Sequence, residues 1–225
     1  MFKRWKKEGK DLPVDTITVK YNAPKDLTAA EAGTILDQKV DFVDITSILF
    51  DLARLGYLSI EEIETNKFLF LKKKDFKIKI LKDMEAGEEK HLRKFMEGLR
   101  KSGGKEFLIS DLKNRFGDHI PDIREEIYNS VHKKKYFHGN PNNVRMAYFA
   151  AGFTIFIVSF MATVFSAISA IPVLPGIAGG IAISGLIVLC FSPAMPKRTT
   201  KGSEVLADIL GFKEFLTRVE RERLE

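Results

Sequence analysis

The chain has 225 residues, of which 29% are charged and 45% hydrophobic, and its formal net charge is +6. This mild excess of positive charge is far from the dense charge of a dedicated nucleic-acid binder. The single cysteine, Cys190, excludes an intrachain disulfide and a cysteine-based metal site. The basic N-terminus has no hydrophobic stretch behind it, so we do not predict a signal peptide.

Residues 1–80 predict a cytoplasmic winged-helix-like unit. Residues 16–21 alternate as a short strand does. Thr28 and Glu31 form the pattern of a capping box, which predicts a helix to about residue 36. A second helix begins near Asp41, with apolar residues at spacings of three and four. Strands at 57–61 and 67–72 then form a hairpin around a Thr65-Asn66 turn.

Residues 81–143 predict a second, mostly helical unit that is also winged-helix-like. Its helices are expected at 88–99, from Ser110 or Asp111 to Phe116, and from Pro121 to Lys134. The soluble part is therefore expected to be α+β and mostly helical, with a small β-hairpin.

Residues 146–196 contain no Asp, Glu, Lys, Arg or His over 51 positions. About 20 apolar residues span a bilayer as a helix, so we predict a transmembrane helical hairpin over 144–196. Its helices are placed at 146–170 and 177–195, with a turn at 171–176. The second helix is near the short limit for spanning, which leaves a re-entrant hairpin as an open alternative.

Basic residues flank this apolar run on both sides, and the turn has no charge. By the positive-inside bias, both termini are expected in the cytoplasm, which makes the chain a multi-pass protein of a prokaryotic inner membrane. We expect the basic residues nearest the membrane to contact lipid headgroups. These are Lys133, Lys134, Lys135, Arg145, Lys197 and Arg198.

Small residues recur along both apolar helices at helix-interface spacing. Such residues let helices approach closely in a bilayer, either within the hairpin or between copies of the chain. The predicted packing residues are Ser159, Thr163, Ser166, Gly176, Gly180 and Ser184. Since the run has no ionisable residue, transport by this hairpin alone is not expected.

Residues 197–225 predict a cytoplasmic amphipathic helix that Ser203 caps. Val205, Ile209, Phe212, Leu216 and Val219 repeat at alternating spacings of four and three. The apolar stripe must be buried somewhere, and docking on the soluble part is the preferred interpretation, with the bilayer surface or another chain as alternatives.

A winged helix raises the question of DNA binding, and the charges argue against it. The second helix would be the recognition helix, yet it carries Asp41, Asp44 and Asp51 against one cation, Arg54. Affinity for DNA comes largely from basic residues that displace counterions. Nucleic acid is therefore not expected as a partner.

No pattern in the chain indicates catalysis. The four histidines lack a metal-ligand spacing, and the Ser102–Lys105 segment lacks the first glycine and the final Ser or Thr of a phosphate loop. We expect no catalytic residue, cofactor or metal, and we do not expect an enzyme.

Several motifs resemble the C-terminal, cytoplasmic part of the YciQ-like predicted membrane proteins, the family of domain of unknown function 2207. The quoted residues are Trp5 with Gly9-Lys10-Asp11, Pro24 with 27–33, 44–46 with 51–58, 195–199 with Gly202, and Gly211-Phe212 with Phe215-Leu216. The resemblance implies a protein in which an exported β-rich domain and a membrane helix precede this region. Whether they precede residue 1 here stays open.

The sequence thus predicts a membrane-anchored cytoplasmic interaction, scaffold or signal-relay module. Its expected partners are the lipid bilayer and a protein, or a second copy of the chain through the hairpin. A membrane-tethered winged-helix transcription regulator is the alternative.

Overall fold

The computed structural model describes residues 1–11, 17–66, 72–85, 87–112, 115–168 and 174–224. The chain forms two compact units. We call Tyr21–Lys134 the globular unit, and Met1–Lys20 together with Lys135–Glu225 the hairpin unit. The chain is mostly helical, with one small antiparallel sheet, as the sequence predicts.

Along the chain, the strands of the sheet come before the long apolar helices. They are α1 (Phe2–Arg4), continued by a π-helical turn (Trp5–Gly9), α2 (Ala29–Asp37), α3 (Phe42–Arg54), β1 (Leu58–Asn66), β2 (Lys72–Ile80), α4 (Lys90–Gly103), β3 (Glu106–Leu108), α5 (Ile109–Leu112), α6 (Ile120–Lys133), α7 (Pro141–Ile168), α8 (Leu174–Phe191) and α9 (Thr200–Leu224).

The predicted capping box at the start of α2 is confirmed. The Thr28 hydroxyl accepts from the Glu31 amide, and the Glu31 carboxylate accepts from the Thr28 amide at 2.9 Å. The same device starts α3, where the Asp44 carboxylate accepts from the Asp41 amide at 2.8 Å. Each reciprocal pair satisfies amides that have no partner within the helix, so both helix starts are fixed by local sequence.

The sheet differs from the sequence prediction in the position of its hairpin. β1 runs through Thr65 and Asn66, so the predicted turn there is wrong, and β2 begins at Lys72. Of the predicted strand 67–72, residues 67–71 lie outside the described part. β1 pairs with β2 over nine residues, and β3 adds to β2 through Ile78 opposite Phe107.

The alternation of residues along β2 fits its place in the sheet. Phe76, Ile78 and Ile80 alternate with lysines along β2, and Ile78 is fully buried. A strand with one face in the core and one in solvent has this pattern.

One core holds the globular unit together. Ile48 and Leu52 of α3 belong to the same buried cluster as Ile78 of β2, Leu92 of α4 and Ile127 of α6. Residues on both sides of the predicted boundary between 80 and 81 therefore share a core. The winged-helix description of this unit stays a prediction.

The two apolar helices of the hairpin unit pack against each other as expected, with bounds that differ from the predicted ones. α7 begins at Pro141, before the uncharged run, because the Asn140 side chain accepts from the amides of Asn142 and Asn143. α8 begins at Leu174, so the last three residues of the predicted turn are helical. The rest of that turn lies outside the described residues.

The C-terminal helix also starts earlier than predicted. The Thr199 hydroxyl accepts from the Gly202 amide at 3.0 Å, so Thr199 caps α9 and Ser203 lies inside it. The strand predicted at 16–21 is wrong for residues 17–20, which have no strand partner among the described residues. Instead, the Lys20 amide donates to the Gly211 carbonyl of α9 at 3.2 Å. Docking of α9 on the globular unit stays a prediction.

Candidate functional site: an apolar groove and a buried ion network

An apolar groove of about 380 Å³ opens on the surface of the globular unit. Side chains of α3, β2, α4 and the segment 109–120 line it, and almost all of them are hydrophobic. Six of them are Phe42, Ile45, Leu49, Phe95, Leu112 and Phe116. The volume falls in the range of sites that bind small molecules or the side chains of a partner, about 300–1,000 Å³.

The groove adjoins an exposed apolar face of α3. Phe42 is 64% exposed, Val43 75% and Phe50 68%. A helix normally turns such residues toward the core, and α3 already buries Ile45, Ile48 and Leu52 on its other side. Clustered apolar exposure of this kind marks a surface that binds another molecule.

Charged residues of both signs adjoin the lining residues in sequence. Exposed Asp41, Asp111 and Asp118 do so, and so do exposed Lys79, Lys94 and Arg115. The selectivity of the groove therefore comes from its apolar lining, which favours a ligand with apolar groups.

Glutamates on neighbouring strands offset the basic cluster of β2. Lys74 lies 2.5 Å from the Glu62 carboxylate of β1, and Lys77 pairs with Glu106 of β3. Lys74 and Lys77 are thus paired with carboxylates within the sheet.

A buried ion network lies elsewhere in the globular unit, between α2, α4 and α6. The Lys134 ammonium lies 2.7 Å from the Glu31 carboxylate and 2.9 Å from that of Glu89. Glu31 is fully buried, and Ser130 donates to it at 2.5 Å. Burial alone raises the pKa of Glu89, but the hydrogen bond and charge of Lys134 outweigh burial and lower it.

His91 completes this network. It is fully buried, its Nε2 lies 3.0 Å from the Thr28 hydroxyl, and its Nδ1 has no hydrogen-bond partner among the residues that the structure describes. Burial lowers the pKa of His91, and the carboxylates of Glu31 and Glu89 only partly oppose it. The imidazole is therefore neutral at pH 7.

Glu31, Glu89 and His91 together could hold a metal ion, because each offers a ligand atom and these atoms lie within 4.8 Å of one another. The Lys134 ammonium already supplies a positive charge to both carboxylates, so we assign the cluster to folding. Sequence reasoning missed the ion network because Glu31, His91 and Lys134 belong to or adjoin three separate helices.

The predicted packing residues divide into two groups. Ser159 and Ser166 are buried in α7, and the Thr163 hydroxyl donates to the Ser159 carbonyl at 2.8 Å. Gly180 and Ser184 lie on the exposed side of α8, and no atom of the described part of the chain lies within 4 Å of a Cβ built at Gly176 or Gly180. A role for these three α8 residues in contacts between chains stays a prediction.

The closest approach of α7 and α8 was missed by sequence reasoning. A Cβ on Gly185 would lie 2.6 Å from the Phe156 amide nitrogen and 3.0 Å from the Gly152 carbonyl oxygen. Ala178 and Ala182 continue the buried face of α8. α8 is apolar on all sides, so its sequence does not show which face meets α7.

The six predicted headgroup residues also have different surroundings. Lys134 belongs to the ion network, and Arg198 is buried against Asp11, so we assign both to folding. Lys133 and Lys135 are exposed, and Lys197 donates to the Lys7 carbonyl at 3.1 Å. Arg145 is half-buried near the start of α7. Headgroup contact by these four stays a prediction.

The two apolar helices define the class of this protein. The candidate spans, Pro141–Ser166 and Gly176–Ala194, bury only 17% and 22% of their most apolar windows, so they are unlike core helices of a soluble protein. Their outward side chains are large and apolar, Phe165, Val158 and Ile183 among them. These features define a membrane protein that carries a globular unit.

The chain belongs to the family described as "Predicted membrane protein (DUF2207) C-terminal domain", whose family model matches residues 18–225. This confirms the resemblance seen in the sequence motifs. No curated protein and no solved structure matches the chain.

Proposed function

We propose that this protein is a membrane-anchored interaction module in which the groove of the globular unit binds a partner protein. The observation that carries the proposal is the apolar groove beside the exposed Phe42, Val43 and Phe50. The partner segment we expect presents apolar side chains, because the lining of the groove is almost entirely hydrophobic. The module then acts as a scaffold or relay and needs no catalytic step of its own.

The membrane arrangement we propose is a multi-pass hairpin in the inner membrane with both termini in the cytoplasm. Basic residues on both sides of the uncharged run support this orientation. A Cys190→Ser chain with a new cysteine at Gly176 provides the test. Impermeant thiol reagents added outside intact spheroplasts should label that cysteine. Protection of this cysteine, with labelling only after lysis, would support a re-entrant hairpin that enters from the cytoplasm.

The order of α2, α3, β1 and β2 supports a winged-helix relationship, and we propose the protein-binding use of such a unit. In such a unit α3 would be the recognition helix. Its exposed side chains include Phe42, Val43 and Phe50 beside Asp41, a poor surface for base edges and phosphates. For this reason we do not propose the transcription-regulator alternative.

Site-specific photo-crosslinking in the native host tests the docking surface. A photoreactive phenylalanine analogue replaces Phe50 on the exposed face of α3, and the same analogue replaces exposed Leu81 as a control position. We expect one discrete adduct from position 50 and none from position 81. Val43→Asp, a change at an exposed side chain, should remove the adduct without unfolding the chain.

Three outcomes would contradict this proposal. The first is no adduct from position 50, and the second is an adduct that Val43→Asp leaves unchanged. The third is an adduct with the mass of two copies of this chain, which would replace a partner protein with self-association.

A further inference from the structure

The N-terminal helical segment crosses the end of the membrane hairpin at which α7 begins and α8 ends. The Trp5 indole donates to the Ala194 carbonyl at 3.1 Å, and its ring lies 6.4 Å from that of Phe191. Arg4 stacks over the Tyr148 ring of α7 at 5.5 Å. The segment therefore contacts the same end of both candidate spans.

Close backbone packing holds the segment in this place. Gly9 is buried, and a Cβ there would lie 3.0 Å from the Ala194 carbonyl oxygen. Lys197, just beyond α8, donates to the Lys7 carbonyl at 3.1 Å. The hairpin thus fixes the depth of this segment at the boundary between hydrocarbon and headgroups.

The segment combines aromatic and basic side chains as a membrane-interface element does. Phe2 is 62% exposed and lies 5.6 Å from the Trp5 ring, while Lys3, Lys6 and Lys7 are exposed. Amphipathic aromatic rings are enriched at the headgroup level of membranes. Lysines next to them can reach lipid phosphates while their stems stay in contact with apolar groups.

The acidic residues of the segment have partners of their own. Glu8 accepts from Arg4 at 2.8 Å and from the Tyr148 hydroxyl at 3.3 Å, and Asp11 pairs with Arg198. The charge of the three exposed lysines is therefore not cancelled by these carboxylates.

We propose that residues 2–10 form a binding surface for anionic phospholipid headgroups, in which Lys3, Lys6 and Lys7 select the lipid and Phe2 and Trp5 set its depth. The occupant is a lipid of the bilayer that holds the hairpin. Continuity between the segment and the ends of α7 and α8 favours this occupant over any soluble anion.

Trp5 is the chain's only tryptophan and provides a direct probe. The full chain is reconstituted in phosphatidylcholine vesicles that contain a fixed fraction of brominated phosphatidylglycerol or, in parallel, brominated phosphatidylcholine. Bromine quenches tryptophan only at short range, so the ratio of the two quenching efficiencies measures enrichment of the anionic lipid around Trp5.

We expect the anionic lipid to be enriched about threefold around Trp5. Each lysine near an anionic surface contributes roughly 1 kcal/mol, which corresponds to an upper limit of about fivefold for each lysine. Replacing Lys3, Lys6 and Lys7 with glutamine should bring the ratio to about one, as should high salt. Replacing the exposed lysines of the globular unit, Lys94, Lys101 and Lys105, with glutamine should leave it unchanged.

Equal quenching by both lipids in the unmodified chain would overturn the proposal. An equal loss of anionic-lipid enrichment in the two triple variants, that of the N-terminal segment and that of the globular unit, would overturn it as well. If neither lipid quenches Trp5, the segment lies away from the bilayer, which also overturns the proposal.

Discussion

The Lys134 ammonium lies 2.7 Å from the carboxylate of Glu31, a side chain with no exposed surface. The two residues are 103 positions apart, and their contact ties α6 to the capping box of α2. Burial alone lowers the pKa of Lys134, but its hydrogen bonds to Glu31 and Glu89 raise it above its ordinary value. Lys134 therefore stays charged over the physiological pH range.

Removing this lysine should destabilise the globular unit. Lys134→Met leaves a buried carboxylate without its cation, which costs about 3 kcal/mol. Hydrogen exchange of the α2 and α6 amides in the full chain measures the change. The additional change Glu31→Gln should restore part of the stability, since an amide oxygen can still accept from Thr28. An equal effect of Lys133→Met, at the exposed neighbouring position, would show that the pair contributes nothing.

Acid should destabilise the globular unit through His91. Burial holds its pKa below the ordinary value of 6.5, so between pH 7.5 and 5.5 the unfolded chain binds a proton that the folded chain does not. Stability then falls as the pH falls. His91→Gln should reduce this fall, while His132→Gln, at an exposed position, should not. Equal pH dependence in His91→Gln and the unmodified chain would contradict a neutral buried imidazole.

Asp44 should have the opposite pH dependence. Burial, together with the charges of Asp37 and Asp41, raises its pKa from 3.8 to about 6, although the hydrogen bond from Asp41 opposes this. The unfolded carboxyl ionises first as the pH rises, so Asp44 lowers stability between about pH 4 and 6. Asp44→Asn should therefore gain stability relative to the unmodified chain from pH 4.5 to 7. A raised pKa of Asp44 would be ruled out if the stability of Asp44→Asn differed from that of the unmodified chain by the same amount at every pH in this range, and if Asp41→Asn showed the same constant difference.

The helix crossing at Gly185 should not tolerate a methyl group. Gly185→Ala places a carbon about 2.6 Å from the Phe156 amide nitrogen, so the helices must separate, and thermal stability in detergent should fall. Gly180→Ala should leave the thermal stability unchanged or raise it, since no atom of the described residues lies within 4 Å of a Cβ at that position. If Gly180→Ala instead weakens self-association, the predicted contact between chains is supported. Equal stability of both variants would place the crossing elsewhere.

Local signals made much of the fold predictable. The capping box of Thr28 and Glu31, the apolar stripe of α3 and the uncharged run each act over a few neighbouring residues. Contacts between distant elements were not predictable, because a cluster such as Glu31, Glu89 and Lys134 depends on three helices that come together only after folding. The groove was missed for the same reason, since its lining comes from α3, β2, α4 and segment 109–120.

Chemical footprinting with a carbene reagent in native membranes tests the central claim most directly. A bound partner should shield Phe42, Val43 and Phe50 in the membrane, and labelling of these three should rise several-fold once the chain is purified in detergent. Exposed Leu81 should label equally in both states. Equal labelling of Phe42, Val43 and Phe50 before and after purification would contradict the account, because it would show that the groove and the adjoining face of α3 have no occupant in the membrane.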